Sequence, residues 1–122
     1  MSLEEYEGII FGIISTAGNA KSICYEGLRA AKQGDFITSK QKIEEADKVL
    51  AGLHAHQMEL IQKEAKGGKN EFSVLLVHAL DIMMDSLAVR DMANELIELY
   101  MKLDSMNIDK TLSPVKKRTN FI

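Results

Sequence analysis

The sequence predicts an all-α fold, an antiparallel up-down-up three-helix bundle. Three observations lead there. Apolar residues recur at three- and four-residue spacing through most of the chain, which is the period of a helix with one buried face. Glycines in helix-ending positions cluster at Gly34 and at Gly67-Gly68, and the only proline is Pro114, so nothing earlier imposes a proline break. Short connections between long helices then force sequence neighbours to run antiparallel.

The first helix is expected over about 3–33. Ser2 stands where an N-cap belongs, and Glu4 and Glu5 suit the positive end of the helix dipole. Its apolar face reads Ile10, Ile13, Ile14, Ala17, Ala20, Cys24, Leu28 and Ala31. Gly12, Gly18 and Gly27 each lower its intrinsic helicity by ~1 kcal/mol relative to alanine, so they are expected at close contacts between helices.

The second helix is expected over about 36–66, with Ile43, Ala46, Leu50, Leu53, Leu60 and Ala65 on its apolar face. His54 and His56 are two residues apart and point to different sides of a helix, so they are read as surface or boundary residues and not as a metal pair. The third helix is expected over about 71–103. The domain therefore spans 1–104. Residues 105–122, which contain Pro114 and Lys116-Lys117-Arg118, are expected to form a flexible basic tail.

Composition narrows the function. A chain of 122 residues with 46% hydrophobic content makes one domain, and no run approaches the ~20 apolar residues a membrane-spanning helix needs. A net charge of −3, with no interleaving of aromatic and basic residues, argues against nucleic acid as a partner. Cys24 is the only cysteine, which excludes an internal disulfide and multi-cysteine zinc sites; it reads as a small buried filler. The first residues carry acids where a secretory signal has bases, so the expected compartment is the cytoplasm.

The third helix carries the functional information. From Phe72 to Val89 it is apolar on every side, and a helix of that kind must be covered all round. Two neighbours in one chain cannot cover it, so further copies of the chain are expected to. Within that stretch the ionisable residues are His78, Asp81 and Asp85, offset by three and seven residues and hence on one stripe. A carboxylate enclosed there must be paired, protonated or bound to a cation, and copies of one aspartate converging on an axis would suit a hard cation such as Mg2+ or a shared proton. His78 is open to three readings on this basis: an interface polar group, a metal ligand or a nucleophile.

Beyond these patterns, an ordered set of segments resembles the lactose/cellobiose-type enzyme IIA proteins of the bacterial sugar phosphotransferase system. The segments are Gly18-Asn19-Ala20-Lys21-Ser22, Ala30-Ala31-Lys32-Gln33-Gly34-Asp35-Phe36, His54 with Gln57, Leu75-Leu76-Val77-His78-Ala79 with Asp81 and Met84, and Glu95-Leu96-Ile97-Glu98-Leu99-Tyr100. The resemblance covers about residues 3–103. It implies a homotrimer around the third helix. It also implies that His78 accepts a phosphoryl group from the phosphocarrier HPr and passes it to a cysteine of a IIB component, for uptake of a β-linked disaccharide such as lactose, cellobiose or chitobiose. Asp81 matches the aspartate that gathers at the three-fold axis around a metal ion, taken as magnesium. The chain departs from the family's His-Ala-Gln-Asp-His-Leu-Met-Thr: Leu80 replaces the glutamine, Ile82 the second histidine and Asp85 the threonine.

Imidazole, whose ordinary pKa is about 6.5, offers a neutral nucleophilic nitrogen at cytoplasmic pH, and phosphoryl transfer asks mainly for positioning and charge stabilisation. No lysine or arginine lies within two helical turns of His78 on its own helix, so positive charge is expected from the donor, a neighbouring subunit or backbone groups. Ser73 and Ser86 are hydroxyls that packing would have to bring near. Two other classes compete: a non-catalytic IIA-like helical oligomer, and a histidine phosphotransfer domain of two-component signalling, which would want a more solvated histidine face with basic neighbours.

Overall fold

The computed structural model describes residues 2–66 and 74–106. They form three helices: α1, Leu3–Lys32; α2, Phe36–Ala65; and α3, Val74–Met106. α3 runs to Met106, so Ser105 and Met106, assigned above to the tail, continue the helix. The predicted start of the third helix at 71 and the tail beyond 106 lie outside the described residues.

Helix ends follow from local chemistry. Ser2 caps α1, its Oγ accepting from the Glu5 amide at 3.1 Å. At the other end the Asp35 amide donates to the Ala30 carbonyl and the Gly34 amide to the Ala31 carbonyl, the paired bonds of a Schellman motif. Gly34 holds φ at 82°, a conformation that costs glycine nothing. Asp35 then starts α2 at once, its Oδ1 accepting from the Thr38 amide. One glycine and one aspartate thus reverse the chain between two helices of ~45 Å.

Ion pairs fix the relative directions. Glu5 meets Lys63 and Glu26 meets Lys42, so α1 and α2 are antiparallel; Lys21 meets Asp85 and Gly27 approaches Ile97, so α1 and α3 run parallel. α1 is the central element and packs extensively on both others, while α2 and α3 touch far less. α3 is therefore covered from one main direction.

The buried residues form two clusters. Tyr6, Ile10, Ile13, Leu53, Leu60, Ala79 and Met83 enclose the end that carries His78, and Ile23, Cys24, Ile43, Ala46, Ala93 and Ile97 the other. Cys24 is fully buried, and that burial pushes its thiol pKa up, in keeping with a filler role. Gly27 is a close-approach position, since an added Cβ would stand 3.0 Å from Lys42 Cβ and 3.2 Å from the Ser39 carbonyl oxygen. Gly12 lies beneath the His56 ring, but a Cβ added at Gly18 would meet nothing within 4 Å, so Gly18 is not a close contact among the described residues. Ala65, placed on the buried face of the second helix by its spacing, is exposed because it is the helix's last residue.

Candidate functional site

α3 presents three kinds of surface. Ala79, Met83, Ser86, Ala93 and Ile97 are buried against the other helices. Ser86 spends its hydroxyl within the helix, donating to the Met83 carbonyl at 2.7 Å, so it is not a donor for a ligand at His78. Ser73 lies outside the described residues.

Opposite that buried face runs an uncovered apolar line. Val74, Met84, Met92, Leu99 and Met106 lie along it at helical spacing, each at least half exposed, and Asp81 and Glu95 interrupt it. Among the described residues no helix covers this line, which is the circumferential apolarity of the sequence seen in three dimensions. Among the described residues no helix is long and apolar enough to cross a membrane.

His78 and Asp85 sit between the two surfaces, beside Asp81 on the apolar line. Their offsets confine them to an arc of about 60° on an ideal helix, and all three are exposed, so the single stripe read from the spacing holds in the structure. Asp81 is nearest the middle of the apolar line, while His78 and Asp85 turn toward α1. The residue between them on that side, Ile82, is half-buried and packs on the same core cluster as Ala79 and Met83. Leu80 packs on that cluster too. The two apolar replacements in the motif therefore hold the helix that presents the imidazole.

A positive charge that spacing on α3 could not supply reaches the Asp85 end of the stripe from α1. Lys21 donates to Asp85 Oδ2 at 2.5 Å, with the side chains 37% and 52% exposed, and the pairing holds the Lys21 ammonium pKa above its ordinary value. Neither Asp81 nor Asp85 is an enclosed, uncompensated charge in the protomer. Lys21 was visible in the sequence only as part of Gly18–Ser22. Its meeting with Asp85 depends on the parallel register of α1 and α3, which no local pattern encodes.

His54 is exposed and His56 half-buried against Gly12, in line with surface and boundary roles. Among the described residues of one protomer no three side chains of His, Cys, Asp or Glu gather to hold a metal ion.

The arrangement is an accessible imidazole on a packed helix, flanked by a compensated carboxylate and an uncovered apolar line, and the fold that holds it is shared with known proteins. The family model described as the PTS system lactose/cellobiose-specific IIA subunit matches residues 8–101. The lichenan-specific phosphotransferase enzyme IIA component of Bacillus subtilis (strain 168) is 47% identical over 82% of this chain and 91% of its own length. The N,N'-diacetylchitobiose-specific EIIA component of Escherichia coli (strain K12) is 41% identical over 82% of this chain and 86% of its own. Among solved structures, the cellobiose-specific enzyme IIA of Bacillus anthracis superposes with a TM-score of 0.80 at 41% identity, covering 86% of this chain and 94% of that one. The IIA(chitobiose)–HPr complex of Escherichia coli superposes with a TM-score of 0.72 at 38% identity, covering 85% and 98%. The chain accordingly belongs to the lactose/cellobiose-specific IIA family and is a IIA component of a sugar phosphotransferase system.

Proposed function

We propose that this IIA component carries its phosphoryl group on His78, taking it from HPr and delivering it to the cysteine of a IIB component. The observation that carries the reading is the exposure of His78 on a well-packed helix, at a place where another protein can reach the ring. A relative of the same fold was solved in complex with HPr, which supports that donor. In the first step a ring nitrogen of His78, Nε2 by family resemblance, attacks phosphorus in line. The new N–P bond forms as the donor's N–P bond breaks, and the donor nitrogen keeps the electron pair. In the second step the IIB thiolate attacks, an S–P bond forms, and His78 recovers its lone pair. The protein's part is to position the ring and keep its surroundings electrostatically permissive.

The uncovered line of α3 is read as the contact between three copies of the chain, packed around Asp81. A hard cation such as Mg2+ fits the donor set three carboxylates would make, and bound there it would offset their mutual repulsion. Asp81 is the residue of each protomer that would hold it. Two of the named relatives are specified for N,N'-diacetylchitobiose and cellobiose, which supports a β-linked disaccharide as the cargo of the system.

The test is incubation with phosphoenolpyruvate, enzyme I and HPr. An acid-labile, base-stable label that requires HPr and chases onto IIB is the expected result. A protein that takes no label under these conditions is the non-catalytic oligomer instead, and labelling by a two-component kinase would reassign it to signalling.

A further inference from the structure

The Lys21–Asp85 pair lies on the His78 side of α3. Asp85 follows His78 by seven residues, which is two helical turns, a rise of about 10.5 Å and only about 20° of rotation. The phosphoryl group that His78 would accept is anionic and comes within the field of that carboxylate. An uncompensated carboxylate at that distance acts on it through solvent, where two negative charges on phosphate against one on Asp85 change a rate by about threefold to tenfold. Lys21 cancels this by binding Asp85 directly, from a different helix.

We propose that Lys21 is an electrostatic positioning residue for phosphoryl transfer, acting through Asp85: it keeps the carboxylate beside the His78 approach neutralised, so that donor and phosphoryl group are not repelled. This rests on His78 being the acceptor. Lys21 is not a catalytic residue in this account, since its ammonium is committed to Asp85 and need not touch phosphorus. Exposure makes the pair a small contributor to stability, so a charge effect on rate is separable from a folding effect.

The experiment measures the initial rate of HPr-dependent phosphorylation for the wild-type chain, Lys21→Met, Asp85→Asn and the double variant. It is run at low ionic strength, where the Debye length is about 30 Å at 0.01 M, and again at high salt. Lys21→Met is expected to slow labelling about threefold to tenfold at low salt, and the double variant to return to the wild-type rate although the ion pair is gone. Asp85→Asn alone is expected to match or exceed wild type, and all differences should shrink at high salt. A wild-type rate for Lys21→Met at low salt would overturn the proposal. So would a double variant as slow as Lys21→Met, which would assign Lys21 a purely structural role. If the wild-type chain takes no label, the phosphocarrier reading falls and this proposal with it; slowed labelling that the second substitution does not rescue removes this proposal alone.

Discussion

Arg90 of α3 grips Asp47 of α2 with two parallel bonds, Nε to Oδ1 at 2.6 Å and Nη2 to Oδ2 at 2.8 Å. The pair matters because α2 and α3 otherwise share little contact. The Asp47 carboxylate also holds the guanidinium pKa above its ordinary value, and Asp91 adds to this. A planar fork on a carboxylate fixes direction as well as distance, which lysine cannot do.

Arg90→Lys should therefore loosen the α2–α3 junction, and Arg90→Met should lower stability by about 1 kcal/mol, the upper end for a partly exposed pair. Urea unfolding of Arg90→Met, Asp47→Asn and the double variant reads the coupling directly. A double variant whose loss equals the sum of the two single losses would mean that the pair contributes nothing.

Two glycines should respond in opposite directions to alanine. Gly52 has open space around its missing Cβ, so Gly52→Ala should stabilise α2 by roughly 0.5–1 kcal/mol through helix propensity alone. Gly27→Ala gains the same propensity but drives its methyl against Lys42 and the Ser39 carbonyl, a backbone group that cannot swing aside, and should be net destabilising. Thermal denaturation of both variants against wild type decides the matter.

These contrasts mark the limits of what the sequence discloses. Helix number, caps at Ser2 and Gly34, and the buried Ile10, Ile13, Ala17 and Leu53 are legible because they depend on period and on local backbone chemistry. His78 and Asp81 are legible because polar groups stand out in an apolar run. The different fates of Gly18 and Gly27, the in-helix use of the Ser86 hydroxyl and the approach of Lys21 to Asp85 are not. Each depends on the register between helices, which is set by how side chains interlock over the whole interface. Tyr6, Ile9 and Ile23 were missed from the buried face for a related reason: α1 is flanked on two sides, so its buried arc is wider than a single stripe.

Acid should weaken the α1–α2 turn. The hydrogen bonds from Thr38 hold the Asp35 carboxyl below its ordinary value of 3.8, so the folded state favours the charged form. Its contribution is full above the unfolded pKa and is lost as pH falls through the lower, folded value; the relevant window thus lies below about pH 4. Asp35→Ala should lower the melting temperature at neutral pH and flatten this part of the acid dependence. An acid profile unchanged by the substitution would contradict the capping role.

Association through the free line of α3 makes a sharp mass prediction. Light scattering at micromolar concentration should give three times the 13.6 kDa of the chain, and Met92→Lys, which puts a charge on the line, should shift it toward one. Asp81→Asn should remove bound magnesium measured by elemental analysis while leaving the assembly intact, because less repulsion then needs offsetting. A wild-type particle of single-chain mass would refute the trimer.

The chain has three histidines, His54, His56 and His78, so the phosphoryl position can be settled by exhaustion. The decisive measurement is site-resolved phosphohistidine mapping at alkaline pH after HPr-dependent labelling of wild type and of the three single histidine-to-alanine variants. The phosphoryl group is expected on His78 and should disappear only in His78→Ala. Undiminished labelling of His78→Ala, with the group on His54 or His56, would contradict that assignment.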